Sequence, residues 1–232
     1  MANRFDFKQT RFFPLVPLSE YGKVQTIIGS IVRNKRLLID KRRLKDKDYL
    51  DVGCGRNTHS NFINLDYAWH PGIDICWDIT SGIPLPDNAI QGAFTEHCIE
   101  HLSLEAADSV LAELRRVITP GGSVRIIVPD GELYLSSYAD NLRSREPVPM
   151  PLSEGDSYKG MYSPIMSVNR IFRDHGHLFI HDFQTLRQLL QRNGFIDVKR
   201  ESYKKGRDPK MLIDAEGRRA ESLYVEAAVP YS

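Results

Sequence analysis

The chain has 232 residues, 41% of them hydrophobic and 26% charged, with a formal net charge of +1 at pH 7. This composition supports a sizeable core and excludes a disordered or low-complexity chain, while near-neutrality argues neither for nor against a nucleic-acid partner. Three cysteines, Cys54, Cys76 and Cys98, sit in apolar stretches without paired spacing, which fits reduced thiols in a cytoplasmic protein and not a disulfide framework.

Near the N-terminus, Arg4, Asp6, Lys8 and Arg11 alternate with phenylalanines, which is not the layout of a secretory signal. The longest apolar stretch nearby, Val24 to Val32, is broken by Gln25, Thr26, Gly29 and Ser30. It is roughly half the ~20 residues that span a bilayer, so a soluble protein is expected. Residues Arg33 to Lys47 carry eight basic side chains against Asp40 and Asp46. The spacing of Ile28, Ile31 and Val32 with Leu37 and Leu38 predicts an amphipathic helix before that basic run. A solvated helix capping the domain is the first reading of this extension, residues 1–45; contact with an anionic membrane surface, nucleotide-sugar or polymer is the second.

From Asp48 onward, short apolar runs alternate with turn residues. Tyr49 to Val52, Phe62 to Leu65, Ile90 to Thr95 and Val124 to Val128 read as strands, the last a β-branched run suited to burial on both faces. Between the last two, Leu104, Ala107, Val110, Leu111, Leu114 and Val117 have helical spacing, with Ser103 as the cap and Pro120-Gly121-Gly122 as the stop. This order implies right-handed crossovers, a mostly parallel sheet, and a ligand off the carboxyl ends of its strands. A core of residues 46–130 is therefore expected. Gly131 to Asp174 lacks clear periodicity and carries Pro147, Pro149, Pro151 and Pro164, so 131–181 reads as an irregular insertion or lid at the acceptor site. Residues 182–232 then complete the sheet: a helix from Asp182 to Gly194, and strands at Phe195 to Glu201 and Leu223 to Val229.

The chemistry begins at Leu50-Asp51-Val52-Gly53-Cys54-Gly55, a strand running into a glycine turn. Glycine allows a tight turn and close approach of a ligand, with amide hydrogens free to bind an anion. Asp66 ends the second strand, where a carboxylate can accept both hydroxyls of a ribose. Asp78 with the Ile79 amide can read an adenine edge. Together with Asn64-Leu65-Asp66, Pro84-Leu85-Pro86-Asp87, His97 to Leu102 and Leu114 to Gly122, these segments follow one another in an order that resembles the type 11 class I methyltransferases. The resemblance covers residues 46–130 well; Gly176-His177, Asp182 to Gly194 and Glu221 to Glu226 extend it into the C-terminal half.

That resemblance implies an α/β Rossmann-like fold, a seven-stranded mostly parallel sheet with an antiparallel last strand, and S-adenosylmethionine bound over the first three strands. It places Asp51, Gly53, Cys54 and Gly55 at the methionine part of the cofactor, Asp66 at the ribose, and Asp78 and Ile79 at the adenine. Glu96 and His97 would face the cofactor and the substrate opening. Two departures stand out. The usual third glycine gives way to Arg56-Asn57, and only 15 positions separate Asp51 from Asp66. The first crossover helix should therefore be missing or a single turn, its dipole lost as an anchor, and Arg56 or Asn57 left to substitute.

His97-Cys98-Ile99-Glu100-His101 can place imidazole, carboxylate and imidazole on one helix face, with His177 as a further ligand. It also matches an inverted zinc-peptidase motif. A peptidase would carry that motif within a long helix and not after a strand of such a core, so it is rejected. His97 stands where metal-binding methyltransferases carry a first glutamate, so no metal is assigned; a divalent ion at His97, Glu100 and His101 is the lesser alternative to a hydrogen-bonded structural role for His101. His175 and His177 flank Gly176, and His181 follows. His97, His101, His175 and His177 are the candidate catalytic bases, since an imidazole can take a proton from an attacking hydroxyl or amine. Tyr134, Tyr138, Tyr158 and Tyr162 with Arg170 and Arg173 suit a polar or glycan acceptor.

The expectation is thus methyl transfer to an oxygen or nitrogen of a small polar or glycan-type acceptor. On this reading, Asp66→Ala abolishes cofactor binding, whereas His177→Ala slows turnover with cofactor affinity intact. A nicotinamide oxidoreductase would need a third glycine and a Tyr-x-x-x-Lys, neither visible. The alternative kept is a catalytically silent cofactor-binding scaffold that docks a partner through its basic segment.

Overall fold

Seven short segments rich in β-branched and aromatic residues pair into one sheet: β1 (Tyr49–Val52), β2 (Phe62–Asp66), β3 (Ile75–Cys76), β4 (Ile90–Glu96), β5 (Ile118–Pro129), β6 (Ile196–Glu201) and β7 (Ser222–Ala228). The computed structural model describes residues 22–151 and 158–231; the start of the expected N-terminal extension, residues 1–21, lies outside them, as do 152–157 and 232. Strand order is β3-β2-β1-β4-β5-β7-β6. Strands β1 to β5 run parallel, while β7 inserts antiparallel between β5 and β6. β1 and β2 are buried at every position, the pattern of parallel strands covered on both faces. The chain steps outward from β1 to β3, then returns to β4 on the other side of β1. That reversal opens a crevice beyond the carboxyl ends of β1 and β4, where ligands of open α/β sheets bind.

Six helices accompany the sheet among the described residues: α1 (Lys23–Val32), α2 (Lys41–Leu44), α3 (Leu104–Val117), α4 (Gly131–Arg143), α5 (Pro164–Arg173) and α6 (Phe183–Arg192). Local chemistry fixes their ends. Ser103 accepts from the Ala106 amide to start α3, and Asp182 accepts from Thr185 to start α6. Gly194 closes α6 at φ +81°, the left-handed conformation that ends many helices. One sheet face packs Leu50, Val52, Leu65, Ile126 and Val128 against Leu111 and Leu114 of α3 and Leu186 and Leu190 of α6.

Among the described residues, no α-helix contributes to the core of the other face. Tyr49, Phe62, Phe94, Ile127 and Tyr224 are covered by the connection between β6 and β7, through Met211 and Ile213. Arg125 of β5 is fully buried on this side, donating to Asp214 and Glu226. A buried charge must be paired, and here the pairing ties the connection to the sheet.

Where the sequence predicts an irregular insertion at Gly131 to Asp174, the structure forms α4 and α5, which pack through Tyr134, Val168 and Ile171. The helical repeat escapes notice because tyrosines and serines carry it, and because Pro164 reads as a breaker although it occupies the first turn of α5. The shortened first crossover is as expected: no helix separates β1 from β2. α1 lies before the basic run, which itself breaks into single turns. Arg33 lies over the Tyr67 ring at 3.6 Å and donates to its carbonyl, and Lys47 pairs with Asp74 at 2.6 Å. No helix among the described residues is long and apolar enough to cross a membrane, and all three cysteines are free.

Candidate functional site

A cavity of about 1110 Å³ opens where β1 and β4 end. Its walls include every candidate catalytic base and cofactor-binding residue read from the sequence, Asp51, Gly53, Cys54, Gly55, Asn57, Asp66, Asp78, Ile79, Glu96, His97, His101, His175 and His177, but not His181. The four tyrosines of the 131–174 stretch and Arg170 do not line it. Tyr134 is instead fully buried, donating to Glu221 and accepting from Arg170.

The glycine turn is built differently from the sequence expectation of free amides. The Gly53 and Cys54 amides both donate to the Leu65 carbonyl, at 2.8 and 3.2 Å, and Asn57 donates to Cys54. The Gly55 amide donates to Asp66 Oδ2 at 2.8 Å. With no crossover helix to carry it away, the turn folds back onto the end of β2 and spends its donors there. Gly53, at φ +73°, has a packing cause: a Cβ there would lie 2.5 Å from Cys98 Sγ. Gly55, at φ +53°, faces open space.

Asp66 therefore joins two parts of the site. Its Oδ1 accepts from the Ala68 amide at 2.7 Å and its Oδ2 from Gly55, which fixes the carboxylate at the cavity wall with lone pairs to spare. Burial raises its pKa and the two amides oppose that shift. Asp51 is almost fully buried and accepts no hydrogen bond from any described residue; burial, followed by the charges of Asp66 and Glu96, holds its carboxyl well above the usual carboxylate range. Asp78 caps a one-turn helix through Thr80, whose amide and hydroxyl both reach Oδ1, and its own amide donates to Asn34. Its second oxygen and the neighbouring Ile79 remain for a ligand.

Glu96 is held by the Ala215 amide, at 3.1 and 3.3 Å to its two oxygens; burial raises its pKa and this bond opposes the rise. Beyond it the chain bends at His97, a non-glycine residue at φ +50°, and enters the turn Ile99–His101. The Glu100 carbonyl accepts from the Leu178 and Phe179 amides at 2.8 and 3.2 Å, which docks the segment after α5 on this turn. The His101 and His177 ring centroids lie 4.9 Å apart, and those of His175 and His177 5.9 Å apart. Burial pushes His97 down to about 2, aided by the Arg218 charge, and His101 down to about 4; it also lowers His177. Complete burial pushes Glu100 up to about 8.

Sequence reasoning missed the far wall. Ile213, Ala215 and Arg218 come from the connection between β6 and β7, and Tyr67 and Trp77 follow β2 and β3. That connection shows no periodicity, only charge, so nothing local marks it as a wall. Its one legible signal is buried pairing with Arg125, a charged residue inside an apolar strand.

Residues 64–126 match a family model described as a methyltransferase domain. The chain carries a methyltransferase domain. It is a methyltransferase enzyme, and its sheet has the Rossmann-like architecture. No curated protein matches the sequence. Among solved structures, the methyltransferase domain resembles a possible histamine N-methyltransferase of Thermotoga maritima (13% identity, 81% of this chain and 86% of that one, TM-score 0.46). It also resembles an S-adenosylmethionine-dependent methyltransferase of Archaeoglobus fulgidus (16%, 88% and 94%, 0.46). A third is phosphoethanolamine N-methyltransferase 2 of Haemonchus contortus (13%, 86% and 53%, 0.47). At these identities and scores, none of the three brings its substrate to the present chain.

Proposed function

We propose that this methyltransferase acts on an oxygen or nitrogen of a small polar or glycan-type acceptor admitted beside the histidines. The observation that carries the reading is Asp51: a buried carboxylate, unbonded by described residues, on the same cavity wall as the tethered Asp66. Asp51, Asp66, Asp78, Glu96 and Glu100 bring five carboxyl groups to one cavity against Arg56 and Arg218, and a cationic ligand is the partner that draws the buried ones, Asp51 and Glu100, into their ionised forms. The residues fit S-adenosylmethionine on these grounds. Asp51 would hold its ammonium, Asp66 the ribose hydroxyls, and Asp78 with Ile79 the adenine edge, while Gly53, Cys54, Gly55 and Asn57 shape the floor. When bound, the cofactor supplies a sulfonium-activated methyl group, so the protein's task is alignment and proton removal.

His175 is the proton acceptor in this reading. It is the most exposed of the five cavity histidines and makes no hydrogen bond to a described residue, whereas His97 is tied to Ser222 and His177 to the Ile171 carbonyl. General bases contribute about 10²- to 10⁴-fold, and orienting the acceptor contributes about 7–11 kcal/mol at best. The test is S-adenosylhomocysteine formation across a panel of hydroxyl, amine and glycan acceptors. His175→Ala should lose about 10²-fold or more in turnover with S-adenosylhomocysteine binding unchanged. Asp66→Ala should lose binding itself. Full turnover in His175→Ala would remove that residue from the mechanism.

A further inference from the structure

Three groups with free lone pairs face one another behind the histidines, and with Glu100 ionised no donor lies between them. Ser222 donates its hydroxyl hydrogen to the Arg218 carbonyl at 2.7 Å, so its oxygen accepts from His97 Nε2 at 2.8 Å. His97 Nδ1 is therefore the lone-pair nitrogen, and it lies 3.5 Å from Glu100 Oε1. His177 gives its Nδ1 hydrogen to the Ile171 carbonyl at 2.6 Å, which leaves Nε2 with its lone pair 4.0 Å from the same oxygen. Both Glu100 oxygens are fully buried without a hydrogen-bond partner, and so is His101 Nδ1. Glu100, His101 and His177 each offer a ligand atom within 4.8 Å of the others. Neutral imidazoles and a carboxylate converging this way repel one another unless a cation sits among them.

We propose that Glu100, His101 and His177 bind a first-row transition dication of the zinc type, with His97 Nδ1 in reach as a fourth donor. Two imidazoles and one carboxylate match that class, whereas calcium and magnesium take oxygen ligands. Ligand bonds of about 2.0–2.2 Å would draw the donors together by about 1 Å. The outer contacts are already in place: the Ile171 carbonyl orients His177, and Ser222 orients His97. The Arg218 charge is engaged by Glu221 at 3.1 Å. All three ligands line the cavity, so an ion held by these three keeps its fourth position open to it when His97 does not occupy that position, and can polarise an acceptor hydroxyl or amine there. That role rests on the function proposed above; the site itself does not.

The experiment strips the full-length chain with a chelator and titrates it with Zn²⁺ against a chromogenic competitor, then with Co²⁺ for its visible spectrum. One ion per chain is expected. Glu100→Gln and His177→Gln should each weaken it by at least about tenfold, with circular dichroism confirming the fold, and His59→Ala, whose ring packs on Phe62, should leave it unchanged. Absence of Zn²⁺ binding by the unaltered chain would overturn the site, leaving a proton between Glu100 and His97 instead. Affinity that survives both glutamine substitutions would overturn it equally. Neither readout requires turnover, so a failed acceptor screen leaves this test standing.

Discussion

Replacing Asp66 by asparagine isolates the residue on which the cofactor site turns. The side chain keeps its shape, but one of its two oxygens becomes an amide nitrogen. Because Oδ1 and Oδ2 each accept a backbone amide, from Ala68 and Gly55, the new nitrogen must face a donor at one of them. One buried N–H is then left unsatisfied, at about 1–3 kcal/mol. For a chain of this size the melting temperature should fall by roughly 2–4 °C per kcal/mol. Binding suffers separately. Hydrogen bonds to a charged acceptor are worth about 1.5–3 kcal/mol each, and losing two of them costs about 3–6 kcal/mol. That converts to about 10²- to 10⁴-fold in affinity. Isothermal titration calorimetry with S-adenosylhomocysteine, at a temperature where thermal unfolding shows the variant folded, reads the second effect alone. A dissociation constant within about threefold of the unaltered protein would refute the placement of a ribose at Asp66.

Other consequences follow from the same geometry. Gly53→Ala brings a Cβ to 2.5 Å from Cys98 Sγ at φ +73°; left-handed strain and overpacking together should cost about 2–5 kcal/mol in denaturant unfolding. Gly55→Ala, with nothing within 4 Å of its Cβ, should cost only about 1–2 kcal/mol yet weaken cofactor binding by intruding on the cavity; equal destabilisation of the two variants would contradict this. Arg125→Met strands Asp214 and Glu226 in the interior. It should destabilise by about 3–5 kcal/mol, visible as a melting temperature lower by roughly 6–20 °C. Finally, Asp51 and Asp66 have raised pKa values in the free protein, so part of each is protonated at mildly acid pH. An ammonium and two hydroxyl donors favour the ionised forms and lower those pKa values. Cofactor binding should then release protons, and affinity should rise with pH from the ordinary carboxylate range up through the raised values. Calorimetry in buffers of different ionisation enthalpy measures the release; proton uptake would reverse the assignment.

What the sequence determined by itself is the sheet and the near wall of the cavity. β-branched runs at β1, β2, β4 and β5, a helix with a serine cap, and acidic residues at strand ends are local patterns, because burial on both faces demands apolar strands and ligands gather where strands end. The 15-position gap between Asp51 and Asp66 even announced the missing crossover helix. Only the tertiary structure decided the rest. The amides of the glycine turn are consumed by Leu65 and Asp66, a contact between segments that no local pattern records. α4 and α5 hold together through Tyr134 and Ile171, so packing overrode a weak helical signal. The far wall at Ile213, Ala215 and Arg218 is placed by Arg125 from 89 positions away in the chain. Likewise, the facing lone pairs of His97, Glu100 and His177 exist only because Leu178 and Phe179 bond to the Glu100 carbonyl. Sequence period fixes which face of an element is buried; which elements then meet depends on long-range pairing.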